Sequence, residues 1–169
     1  MIILETERLC LRTVNLDDAP FYLELINDPS WIKNIGDKGI RTLDGALESL
    51  KNGPIDMQQR LGFSLYVVER KLDGAPMGLC GLIKRDSLDD IDIGYAFLPQ
   101  FRGHGYAREA AGAVLKYGKD SFDLKRLLAI TSPSNHGSYS LLEELGFKLE
   151  KLVVLKGETR KTRLYAYHF

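Results

Sequence analysis

The stretch Gln100-Phe101-Arg102-Gly103-His104-Gly105-Tyr106-Ala107 decides how the rest of the chain is read. It follows an apolar run from Ile91 to Leu98. It opens directly into Ala107 to Lys119, where Ala110, Ala111, Val114 and Leu115 recur on one side at helical spacing. A strand, a tight glycine turn and a helix therefore succeed one another. Glycines let the main chain approach a ligand closely, and the first amides of a helix have no partner inside it, so this turn is a ready anion site. Phosphate is the ligand it suits best.

Upstream the hydrophobic period is two. Phe63, Leu65 and Val67 alternate with Ser64, Tyr66 and Val68 as in a strand. Lys71-Leu72-Asp73-Gly74 supplies the Asp-Gly of a tight reversal, and Pro76 to Lys84 returns as the third strand. After the polar turn Arg85 to Asp89, Asp90 to Leu98 makes the fourth, so two hairpins deliver the chain to the glycine turn. Nearer the amino end, Arg8 to Val14 is the first strand, and Asn15-Leu16-Asp17-Asp18 opens a helix to about Ile26 that Asn27-Asp28-Pro29 stops. Ser30 to Ile40, with Trp31, reads as a loop holding one short helical turn at most. Thr42-Leu43-Asp44 caps a helix to about Asn52, which Gly53-Pro54 ends. Downstream, Leu127 to Ile130 is a short buried strand, and Asn135 to Leu145 is a helix closed by Gly146. Lys148 to Lys156 then pairs with Arg163 to Phe169 across Gly157-Glu158. No repeat or linker divides this series, which predicts one domain over residues 1–169.

A chain of 169 residues buries enough apolar surface to fold without staples. A formal net charge of zero argues against a nucleic-acid binder that works by phosphate neutralisation. Cys10 and Cys80 both sit in apolar runs, which predicts buried thiols in a reducing compartment rather than a disulfide or a metal pair; no metal is expected. Met1-Ile2-Ile3-Leu4 meets Glu5 and Glu7 too soon for a signal peptide, and no apolar run approaches membrane-spanning length. The expectation is a cytoplasmic protein with no membrane partner.

The spacing Arg102-x-x-Gly105-x-Ala107 resembles the Arg/Gln-x-x-Gly-x-Gly/Ala signature of the GNAT superfamily of acetyl-CoA-dependent N-acetyltransferases. Asp92-Ile93-Gly94-Tyr95 with Pro99 is similar to the fourth strand and its exit in the RimJ/RimL-like branch of that superfamily. Asn135-x-x-Ser138 followed by Leu145-Gly146-Phe147 is similar to the next motif of the branch, and Glu5-Thr6-Glu7-Arg8-Leu9-x-Leu11-Arg12 to its first strand. The resemblance implies an α/β (α+β) fold: a mixed, mostly antiparallel central sheet of about seven strands, flanked by helices and splayed between strands 4 and 5. It implies acetyl-CoA as co-substrate and a primary amine as acceptor, either a protein N-terminus or a small molecule such as an antibiotic. An inactive acyl-CoA-binding sensor is the alternative from another class. As partner to itself the chain is expected to be a monomer or a homodimer.

A thioester is already activated, so such an enzyme needs no covalent intermediate. The site must hold two reactants, take a proton from the amine, stabilise an oxyanion and return a proton to the thiolate. The resemblance assigns the pyrophosphate to the main chain of Gly103, His104, Gly105, Tyr106, Ala107 and Arg108, with Arg102 either bonding a phosphate or acting through its backbone. It assigns the pantetheine arm and thioester to the backbones of Tyr95, Ala96 and Phe97, and to Asn135, which also caps its helix. Asp92 is the candidate base, the alternative being a solvated strand-edge charge beside Asp90. The position that holds an acidic tyrosine elsewhere in the superfamily is Leu142, so Ser138 or Tyr139 is the candidate acid, although a first-turn serine is also a plain capping group. Trp31 either lines the acceptor pocket or fills the core beneath its loop.

Overall fold

In a computed structural model that describes residues 1–169, eight strands form one sheet in the order β1-β2-β3-β4-β5-β6-β8-β7. They are β1 (Ile2–Glu5), β2 (Leu9–Thr13), β3 (Leu65–Arg70), β4 (Pro76–Ile83), β5 (Asp92–Phe97), β6 (Arg126–Thr131), β7 (Lys148–Val153) and β8 (Thr162–His168). Only β5 and β6 are parallel neighbours. The sequence predicts about seven strands, and the additional one is β1, too short to show a period of its own. It forms because β2 offers it a partner, with Ile2 opposite Arg12 and Glu5 opposite Cys10.

Six helices flank this sheet: α1 (Ala19–Ile26), α2 (Pro29–Asn34), α3 (Leu43–Leu50), α4 (Asp56–Leu61), α5 (Tyr106–Phe122) and α6 (His136–Leu145). Helices α5 and α6 bury Ala110, Ala111, Val114 and Leu142 against Tyr66, Val68, Met77 and Cys80 on one face. Helices α1 to α3 bury Tyr22, Leu25, Trp31 and Leu50 against Val67 and Leu79 on the other. Both faces are covered, so the alternation along β3 does not separate an inside from an outside. Tyr66, Val67 and Val68 all have no exposed surface. Cys80 lies in the core of β4, and Cys10 is half-buried in β2.

Two proline positions differ from expectation. Pro29 ends α1 and also begins α2, because at the first helical position its missing N–H would be unpaired in any residue; Asp28 caps the new helix by accepting from the Ser30 amide at 3.2 Å. Gly53-Pro54 does not end its helix either. The chain widens into a π-type turn over Lys51–Ile55 that takes up the proline ring and runs on into α4, which stops at Gly62 with φ +80°.

Beside the glycine turn the sheet opens. β5 and β6 share a single register pair, Asp92 with Leu128, closed by the Leu128 amide donating to the Ile91 carbonyl at 3.0 Å. Beyond it the strands part, which is the predicted splay, one strand later in the count because of β1.

Candidate active site

The glycine turn is built to leave amides free. Pro99–Phe101 forms a 3-10 turn, Gly103 and Gly105 both adopt φ +80°, and α5 begins at Tyr106. The Arg102 amide donates to the Pro99 carbonyl, and the next amide with a main-chain partner is that of Glu109, which donates to Gly105 at 3.1 Å. Every N–H from Gly103 to Arg108 lies between these two bonds without a backbone acceptor. They sit at the positive end of a helix of 17 residues, the arrangement that binds a diphosphate. His104 is exposed and its imidazole contributes nothing to the turn beyond a ring contact with Tyr106.

Arg8, which the sequence marks only as part of a strand motif, clamps this turn. Its Nη1 donates to the His104 carbonyl at 3.0 Å, its Nε to Glu109 on α5 at 2.8 Å, and its guanidinium lies 4.5 Å from the centre of the Tyr106 ring. Arg102 faces elsewhere. It donates to the Phe97 carbonyl from Nη2 at 2.8 Å and from Nε at 3.1 Å, and it pairs with Asp28 and Ser30 at the start of α2. Its side chain ties α2 to the end of β5, while its backbone begins the turn.

The direction of the main chain along β5 follows from two bonds. Leu98 donates toward β4, to Met77 at 2.9 Å, whereas Ile91 accepts from β6. Strand groups alternate sides, so the N–H and C=O groups of Ile93, Tyr95 and Phe97 point into the gap between β5 and β6. Ala96 points its main chain at β4 and lines the cleft with its side chain. Gly94 permits close packing here: a Cβ would stand 2.8 Å from the Ile83 side chain.

Across the gap, the Tyr95 hydroxyl lies 2.9 Å from Ser138 Oγ and donates to the Ser138 carbonyl at 3.1 Å. Burial holds the Tyr95 phenol above its ordinary pKa, with the Ser138 hydrogen bond pulling the other way. Asn135 caps α6 by accepting from the Ser138 amide at 3.3 Å, which leaves its NH₂ group free to donate. Tyr139 points away: its hydroxyl bonds His136 and its ring lies 4.2 Å beneath Arg163, outside the cleft that Ser138 lines. Leu142 is core.

Asp92 differs from a solvated strand-edge charge. Asp90 is half-buried and paired with Arg126 at 2.6 Å, whereas Asp92 has no exposed surface and accepts from Arg85 Nε at 3.0 and 3.2 Å. Burial pushes its carboxyl up to about 6 against the opposing pull of Arg85.

These parts meet in one cleft of about 650 Å³ that runs from Ala107 and Arg102, past Tyr95 and Ser138, to Trp31 and Arg85. Trp31 is 8% exposed within the core and also forms part of the cleft wall. The turn from Gly103 to Tyr106 lies outside the cleft wall, and Asp92 lies behind it.

A family model described as an acetyltransferase (GNAT) domain matches residues 8–148. The chain belongs to the GNAT acetyltransferases. Among its relatives, this GNAT chain is 30% identical over 156 residues to the uncharacterized protein YkkB of Bacillus subtilis (strain 168), covering 89% of this chain and 87% of YkkB. An acetyltransferase structure of the GNAT family from Bacillus anthracis superposes with a TM-score of 0.81 at 26% identity, over 99% of this chain and 98% of that one. RimL, a ribosomal L7/L12 alpha-N-protein acetyltransferase solved in complex with coenzyme A, superposes with a TM-score of 0.84 over 99% of this chain and 98% of its own; at 18% identity this likeness is one of fold. No helix of this GNAT domain is long and apolar enough to cross a membrane.

Proposed function

We propose that this GNAT domain transfers the acetyl group of acetyl-CoA directly to the α-amino group at a protein N-terminus. The observation that carries the reading is the unbroken run of unpartnered amides from Gly103 to Arg108, opening beside a strand edge where the Tyr95 main chain and the Phe97 amide have no partner strand. The amides hold the diphosphate, and Arg8, paired with Glu109, fixes the turn that presents them. The pantetheine arm lies along β5, where the Tyr95 main chain supplies the missing strand bonds and the Asn135 NH₂ donates to an arm carbonyl. The Phe97 amide receives the thioester oxygen and stabilises the oxyanion as the amine attacks. The carbon–sulfur bond then breaks, and the Ser138 hydroxyl, held by Tyr95, gives its proton to the thiolate and is reprotonated through water from the amine. RimL, which shares this fold, is named for action on an α-amino group and was solved with coenzyme A.

The electrostatics favour an α-amine over a lysine side chain. Both carboxylates that line the cleft are engaged, Asp28 by Arg102 at 2.8 Å and Glu158 by Arg160 at 4.0 Å, and Asp92 behind its wall is held by Arg85 at 3.0 Å. An acceptor that is already partly neutral needs little from a base. An α-amine with pKa about 8 is about one-quarter neutral at pH 7.5, whereas a lysine at about 10.4 is neutral in roughly one molecule per thousand. A second assignment, Asp92 as the proton acceptor, is favoured by its proton affinity near 6. The two differ in the pH dependence of kcat/KM. If Asp92 is the base, a rise through about pH 6 is present in the native enzyme and absent in Asp92→Asn. If Asp92 only orients Arg85, both enzymes follow the titration of the acceptor amine.

The decisive experiment pairs calorimetric titration of coenzyme A with thiol release from acetyl-CoA in the presence of unblocked peptides, N-terminally blocked lysine peptides and small free amines. The expected result is coenzyme binding and turnover with unblocked peptides. Absence of heat overturns the binding site. Turnover with small amines alone moves the acceptor class to small molecules, and binding without any turnover makes the domain a sensor.

A further inference from the structure

The acceptor half of the cleft is short of negative charge and rich in unpartnered donors. Of its four cations, Arg102 is paired with Asp28, and Arg160 with Glu158 and with the carbonyls of Lys33, Asn34 and Ile35. Arg85 is bound by Asp92 through Nε alone, and neither of its terminal amino groups has a hydrogen-bond partner. Lys38 makes no ion pair with any acid. Desolvation first, and the charge of Arg85 second, lower its proton affinity, and both cations line the cleft. The Trp31 indole N–H is a further donor, more than nine-tenths buried in the same wall and without a partner.

Resting on the acetyl-transfer reading, we propose that the free fork of Arg85, with Lys38, is a carboxylate subsite that selects acceptor peptides bearing an acidic side chain a few residues after the N-terminus. Asp92 is then a positioning residue: its two oxygens fix Nε and turn the rest of the guanidinium outward, the geometry in which arginine binds a carboxylate through two parallel bonds. The span fixes which residue is read. Asp92, which holds Arg85, lies five positions before Phe97 along β5, roughly 16 Å at strand rise. That is too far for the carboxylate of a free amino acid whose amine sits at Phe97. An extended peptide advances about 3.5 Å per residue, so the third to fifth side chains come within reach.

The test uses the full chain with acetyl-CoA and peptides that differ only by Glu or Gln at the fourth position, alongside free glutamate and free glutamine. The expected result is a kcat/KM on the order of 10-fold higher for the Glu peptide, expressed in KM and shrinking as salt is added, with no such gap between the free amino acids. Arg85→Gln removes the gap, and Arg85→Lys restores part of it. Because Arg85→Gln leaves a buried carboxylate unpaired and risks misfolding, Lys38→Glu at an exposed position is the independent variant, and it shifts preference toward a Lys-bearing peptide. Equal turnover of the Glu and Gln peptides overturns the subsite while leaving acetyl transfer intact. A glutamate preference as large as the peptide preference overturns the span. No turnover of any acceptor by a protein that binds coenzyme A overturns both this proposal and the reading on which it rests.

Discussion

On the side of β5 that faces the glycine turn, the groups offered to a ligand are main-chain amides, set by two glycines with φ +80° and a helix of 17 residues. On the other side they are side chains, Trp31 from α2, Lys38 from the loop after it and Arg85 from the turn between β4 and β5. The first region therefore tolerates changes of side chain and fails on changes of backbone. The second does the reverse. A common coenzyme and a variable acceptor call for that division, since one half must stay fixed while the other is altered residue by residue.

The largest expected effect lies in the first region. Gly105→Val forces a branched side chain into a left-handed conformation at φ +80°, while its Cβ would make only an ordinary contact with Arg8 Nη2 at 3.5 Å. Strain of about 1–3 kcal/mol together with lost amide bonds should weaken coenzyme A binding on the order of 1,000-fold in calorimetry, while His104→Ala leaves it within about twofold. An equal loss in both variants would mean that side chains, not amides, hold the coenzyme.

A smaller effect is expected where the two regions join. Asp92 has its carboxyl raised from 3.8 in the unfolded chain to about 6. Between those values the folded chain binds the proton more tightly, so the contribution to stability is present below about pH 4 and is lost as pH rises through about 6. A shift of about two pKa units corresponds to roughly 3 kcal/mol. Thermal melts of the native protein and Asp92→Asn should show the native protein's relative stability falling by up to that amount from pH 4 to 7. A constant difference would place Asp92 in a more hydrated setting.

The smallest effect belongs to the second region. Arg160→Ala removes the bonds from the β7–β8 loop to the end of α2. Peptide KM is expected to rise by about three- to tenfold, the scale of about 1 kcal/mol for exposed charged contacts, with coenzyme A affinity unchanged. A fall in coenzyme affinity would show that the two halves are coupled.

How much of this was readable in the sequence follows the same division. The glycine turn, its flanking strand and its helix are local in sequence, and local signals give them correctly from Ile91 to Lys119. Pro29 and Pro54 misled because proline is tolerated at a helix start and in a widened turn, and only the packing of α1 to α4 shows which applies. The contacts of Arg8 and Arg85 are not legible in the sequence because their partners, Glu109 and Asp92, are brought to them by the fold; Arg8 and Glu109 stand 101 positions apart. Ser138 and Tyr139 are adjacent in sequence, yet the turn of α6 puts one in the cleft and the other under Arg163.

One join, Asp92 to Leu128, holds the panel β1 to β5 against the panel β6, β8 and β7. The crevice is therefore a seam in the architecture rather than a hollow carved into it. A slender amide-bearing chain lying there would act as the absent rungs of a ladder, so that ligand and protein together would complete a sheet that the polypeptide alone leaves unfinished.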